Sequence, residues 1–95
     1  MLNQAILVGR VKSLEENWLV IAVSRNTKNE EGDYETDNIT VHIEGKLRDN
    51  TFEYVEKGDI IGVKGSLRVE DGKMEVYAEK VTFLSSHAKD TENED

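Results

Sequence analysis

Seven side chains stand out for what they could hold: Arg10, Trp18, Arg25, Lys28, Tyr34, Lys46 and Arg68. Lysine and arginine neutralise phosphates at loose spacing, and flat rings stack on nucleobases, so a set that interleaves the two has the chemistry of nucleic-acid contact. Lys12 and Tyr77 are lesser members of the same set. Each residue also has an ordinary use. Lys and Arg on exposed strands are commonly just solvated, Trp18 could cap a barrel or enter a subunit interface, and Tyr77 could fill a sheet face. Only clustering in the fold would give the set a function.

Catalytic chemistry finds no such set. His42 and His87 are unlinked, and with no cysteine in the chain they make no metal site. Glu30-Glu31 and Asp33-Glu35 are neighbouring loop carboxylates, for which solvation is the plain reading. Ser24, Ser66, Ser85 and Ser86 lack a nucleophile signature. Gly58 to Gly65 has neither the spacing nor the Lys-Ser/Thr ending of a phosphate loop. The residues therefore describe a binding protein rather than an enzyme, with no cofactor or metal.

Charge sets a limit on that reading. The net charge is −8, unfavourable for general polyanion affinity, but it is unevenly distributed. Residues 1 to 29 carry four basic and two acidic side chains, whereas 30 to 44 carry six acidic and no basic ones. Residues 45 to 70 balance at five against five, and 86 to 95 hold one Lys against four acids.

The elements that must position these residues follow from periodicity. Ninety-five residues suit one domain, and the absence of cysteine suits a reducing, cytoplasmic setting. No apolar run approaches the roughly 20 residues that cross a bilayer, and the start does not read as a signal peptide. The apolar run 5–11 predicts a first strand. Residues 18–25 predict a second, with Leu19, Ile21 and Val23 on one face. The Asn-, Lys-, Glu- and Gly-rich stretch 26–32 predicts a hairpin loop. In 34–43, Ile39, Val41 and Ile43 alternate with Asn38, Thr40 and His42, which predicts a half-buried third strand. Leu47, Thr51 and Val55 then recur in steps of four beside Phe52. That period predicts a short helix over 46–57, started by an Asn50/Glu53 capping pair and closed by Gly58. Residues 60–69 predict a fourth strand, bent or closely approached at Gly62 and Gly65. Asp71-Gly72 predicts a tight hairpin into a fifth strand over 74–84. Residues 85–95 lack an apolar pattern and predict a disordered acidic tail after a domain spanning 1–84.

This order of strands predicts an all-β protein: a five-stranded OB-fold barrel with one short helix between strands three and four. The residues themselves also resemble a known family. Met-Leu-Asn-Gln-Ala-Ile-Leu-Val-Gly-Arg-Val at 1–11, Ile-Ala-Val-Ser-Arg at 21–25, Glu-Gly at 31–32, Thr-Asp-Asn-Ile at 36–39 and Gly-Lys-Leu at 45–47 resemble the bacterial single-stranded DNA-binding proteins, in family order. Residues 54–65 and 78–84 extend the resemblance through the last two strands.

The resemblance implies a cytoplasmic OB-fold homodimer or homotetramer, assembled through first strands and sheet faces. Its implied role is sequence-independent binding of single-stranded DNA in replication, recombination or repair, with replication proteins as further partners. Arg25, Lys46 and Arg68 fall at family positions that often carry a basic residue. Three departures matter. Family positions that bear stacking aromatics read Thr27, Asn38 and Glu44, and each such stack is worth about 1–3 kcal/mol. The Asp71-Gly72 turn replaces a long family loop. The acidic tail ends Glu94-Asp95 rather than in the family's Asp-Phe type docking peptide. A second reading therefore stands beside the first: an OB-fold protein-interaction module, such as a replisome or primosome adaptor or a mobile-element paralogue, with weak or lost DNA binding.

Overall fold

Each expected strand forms and contributes apolar side chains to one interior. The structure is a computed structural model that describes residues 2–85. In chain order these give β1 (Ala5–Leu14), β2 (Trp18–Lys28), β3 (Tyr34–His42), α1 (Gly45–Tyr54), β4 (Ile60–Glu70) and β5 (Lys73–Ser85). Hydrogen bonding closes the strands into a barrel in the order β1-β2-β3-β5-β4. The expected all-β, five-stranded barrel with its helix between the third and fourth strands is what forms. The closing β3–β5 pair is parallel and brief, joining Val41 to Val76 and His42 to Tyr77. The other four pairs are antiparallel.

The interior is filled by Val11 of β1, Leu19 and Ile21 of β2, Val41 of β3, Ile61 and Val63 of β4 and Val76 of β5. Ile43 and Val55, on either side of α1, close one mouth of the barrel. Burying such a side chain contributes about 1.5–3 kcal/mol, so this small set dominates the favourable side of folding. A strand's period of two then sends the intervening residues outward, which decides what the outer surface carries.

The helix departs from expectation at both ends. It begins at Gly45, straight after the third strand, and Asn50 and Glu53 lie inside it rather than at a capping box. Glu44 occupies the N-cap without a side-chain bond. The reason lies in tertiary packing: an earlier start brings Thr51, together with the Val55 that follows the helix, over the barrel mouth. Gly58 does not close the helix, which ends at Tyr54 with Val55 extended. Instead Gly58 (φ 99°) belongs to a turn lashed to β1: its N–H donates to the Val11 carbonyl at 2.8 Å, and Val11 N–H donates to the Asp59 carbonyl at 2.8 Å.

The two hairpins are built differently. Asp71 (φ 54°) and Gly72 (φ 79°) form a two-residue turn with both φ angles positive, which matches the twist of the long β4–β5 ladder. The β2–β3 loop is shaped by Asn29, whose Oδ1 accepts from the N–H groups of Glu31 (2.9 Å) and Asp33 (3.0 Å). Of the two strand-four glycines, Gly65 is needed for close approach, because a Cβ there would meet the Tyr77 carbonyl. At Gly62 the nearest atom, Leu84 Cδ1, would stand at an ordinary 3.7 Å. Ser85 still pairs with Ile60. The remainder of the expected acidic tail, residues 86–95 with His87, lies outside the described residues.

Candidate nucleic-acid interface

The alternation that buries Leu19, Val41 and Val76 turns Trp18, His42 and Tyr77 outward in a row. Trp18 stands opposite His42 across β2–β3, and His42 opposite Tyr77 across β3–β5. The His42 and Tyr77 rings are stacked, with centroids 4.7 Å apart and planes 13° from parallel. From the strand on the other side, the Arg68 guanidinium lies over the Tyr77 ring, its Cζ 4.0 Å from the centroid. The result is a cation, a phenol and an imidazole layered across three strands, with the indole of Trp18 on the fourth.

Acidic groups border this stack. His42 Nε2 is buried and lies 3.2 Å from Glu75 Oε1, without the alignment of a hydrogen bond. Burial pushes the Tyr77 phenol above its ordinary range, the negative charges of Glu70 and Glu75 add to that shift, and Arg68 partly opposes it. Beside the stack, β3 and β5 part and leave a groove of about 410 Å³ lined by Asn38, Ile39, Thr40, Lys73, Met74, Glu75 and Val76.

The β2–β3 hairpin uses its cations otherwise. Arg25 is bidentate on Asp37, with Nε to Oδ2 at 2.9 Å and Nη2 to Oδ1 at 3.0 Å, and its Nη1 reaches Glu35 Oε1 at 2.9 Å. These hydrogen bonds hold the Asp37 carboxyl below its usual range and raise the guanidinium above its own. Near the tip, Lys28 Nζ sits 5.6 Å from the centroid of the exposed Tyr34 ring. Arg10, on β1, donates to the Gly58 carbonyl at 2.6 Å. Lys46 is exposed in the first turn of α1.

Of the seven residues singled out by type, the fold thus brings Trp18 and Arg68 into one row. Lys28, Tyr34 and the ion-paired Arg25 lie along the β2–β3 hairpin, and Arg10 and Lys46 stand apart on β1 and α1. Sequence reading gave His42 no role in this set and made Tyr77 only a lesser member that could fill a sheet face. Their meeting depends on a parallel contact between strands 35 residues apart, for which no local pattern exists.

The sequence matches the Single-strand binding protein family over residues 2–91, which includes every strand of the barrel. The chain belongs to that family. Single-stranded DNA-binding protein 1 of Clostridium acetobutylicum is 33% identical, covering 90% of this chain and 96% of its own length. A single-stranded DNA-binding protein of Bacillus cereus is 34% identical over 88% of this chain, which spans 61% of that longer relative. Among solved structures, a small single-stranded DNA-binding protein from Streptomyces coelicolor superposes with a TM-score of 0.68 at 18% identity. That alignment covers 88% of this chain and 94% of the other, and it is a likeness of fold. For a member of the single-strand binding family, the rings on this chain's outer face occupy Trp18, His42 and Tyr77, while Thr27, Asn38 and Glu44 are exposed and non-aromatic.

Proposed function

We propose that this chain binds single-stranded DNA independently of sequence, in replication, recombination or repair. The observation that carries the reading is the family match through the entire barrel. Of the seven residues chosen by type, Trp18 and Arg68 on the outer face and the exposed Lys46 are best disposed to meet a strand. Lys28 and Tyr34 supply a second, weaker contact at the hairpin tip. Arg10 and Arg25 contribute least, because their guanidinium groups already have carbonyl or carboxylate partners.

The working unit is a cytoplasmic homodimer or homotetramer joined through first strands, with replication proteins as further partners. Ile6 and Val8 are 72% and 53% exposed on β1, and the β1–β2 register begins only at Arg10. Residues 5–10 pair with β4 on one side, and among the described residues no strand pairs with their other edge before Arg10, so that edge and its apolar side chains suit pairing with a second copy. Light scattering tests this directly: a monomer at micromolar concentration contradicts it.

The acidic run from Glu30 to Asp37, which also takes up Arg25, favours the protein-interaction reading as the alternative. Fluorescence-anisotropy titration of labelled oligo-dT separates the two. Binding that weakens with salt, by roughly 0.7 in log K per log salt for each phosphate neutralised, supports the first. No binding even at low salt contradicts it and directs the search to protein partners.

A further inference from the structure

The outer row asks for an explanation that barrel folding does not provide. None of Trp18, His42, Tyr77 and Arg68 belongs to the buried core. Outward positions on a small barrel can be filled by any polar residue, yet here four strands contribute an indole, an imidazole, a phenol and a guanidinium at adjoining places in the register. The stack is ordered without being sealed: His42 and Glu75 side chains each keep 28% exposure, and Trp18 keeps 37%. Among the described residues the buried Nε2 of His42 has no hydrogen-bond partner, an uncommon condition for such an atom. The row also adjoins an open groove whose walls combine Met74 and Ile39 with Asn38, Thr40 and Lys73.

We propose that Trp18, His42, Tyr77 and Arg68 form the base-stacking platform of this chain, taking nucleobases of a single strand with the β3–β5 groove beside them. The inference rests on the single-strand-binding reading above and names the groups that do the holding. Tyr77 is the keystone. Its ring carries His42 from one neighbouring strand and Arg68 from the other, so the ends of the row present a guanidinium plane and an indole, both groups on which bases stack. Glu70 and Glu75 flank the row, and one arginine against two carboxylates is poor equipment for gripping phosphates. Contact here is therefore made through base faces.

The groove suits a base better than a strand from a partner protein. Its β5 wall comprises Lys73 to Val76 and ends at the Asp71-Gly72 turn, which is short for β-strand addition.

Two ligands of equal length test the platform: oligo-dT and the same sugar–phosphate chain without bases. Tyr77→Leu keeps apolar bulk and removes the ring, and Arg68→Gln removes the exposed guanidinium. Each variant is expected to weaken oligo-dT binding by about fivefold or more, the size of one lost stack, while changing abasic-chain binding by less than about twofold. The double variant is expected to lose less than the product of the two single effects, because both act on one stack. If Tyr77→Leu does not fold, Arg68→Gln, at a solvent-exposed position, carries the same comparison. Oligo-dT binding that survives both changes within about twofold overturns the platform and leaves the family-based reading intact. Equal loss on both ligands also overturns it, since the role would then be electrostatic. Wild-type protein that binds neither ligand overturns the family-based reading itself.

Discussion

Arg25 and Arg68 are the same residue type on two hairpins of one barrel, and their neighbours give them opposite characters. On the β2–β3 hairpin, Arg25 is held by Asp37 and Glu35. On the β4–β5 hairpin, Arg68 lies over the Tyr77 ring. A guanidinium satisfied by two carboxylates has little left to offer a phosphate or a base, whereas one supported by a ring keeps its outer face and donors free. Residue type therefore says little about binding; the side chains that the folded sheet sets beside each arginine decide it.

Removing the seat of the β4–β5 stack has the largest expected effect. Gly65→Ala puts a methyl group against the Tyr77 carbonyl, and thermal denaturation is expected to show a loss of about 1–3 kcal/mol, with oligo-dT affinity falling as Tyr77 shifts. Gly72→Ala acts on the same hairpin through its turn, where φ is 79°, and is expected to cost about 1 kcal/mol by the same measurement. A matched pair then sharpens the contrast. Arg68→Ala is expected to lower oligo-dT affinity about fivefold, while Arg25→Ala changes it by less than about twofold, both read by anisotropy at one salt concentration. An equal loss would mean that Arg25 releases its carboxylates to meet DNA.

The smallest expected effect concerns acid. The Asp37 carboxyl titrates below the usual carboxylate range because Arg25 donates to it. A depressed folded-state value means that the pair's stabilisation is present above the unfolded value and is lost as pH falls through the folded one. Asp37→Asn should therefore reduce the acid sensitivity of the β2–β3 hairpin below about pH 4, followed by amide exchange. The exposure of both partners keeps this effect slight.

Most of the barrel was legible in the sequence because period two in 39–43 admits one inward face, the apolar run 18–23 suits a strand with both faces partly covered, and Asp71-Gly72 admits one kind of turn. The helix start was not. Asn50 and Glu53 have the local chemistry of a cap, but closure of the barrel mouth by Thr51 and Val55 outweighs a preference worth about 1 kcal/mol. The binding residues were half legible. Trp18 and Arg68 were found by type, and the Arg25–Asp37 pairing was available in principle, since a hairpin brings residues near 25 and 37 together. The His42–Tyr77 stack was not, because it depends on how the sheet closes on itself.

A single strand thus meets this barrel chiefly on the outer faces of β3, β5 and β4, with only the weaker Lys28–Tyr34 contact at the β2–β3 tip. Mapping the amide shifts of the full chain on titration with short oligo-dT tests it most directly. The largest shifts are expected at Thr40, His42, Tyr77 and Arg68, with smaller ones at Lys28 and Tyr34 and with Glu30 to Asp33 nearly unmoved. Shifts concentrated at the tip, or none at saturating oligonucleotide, would contradict it.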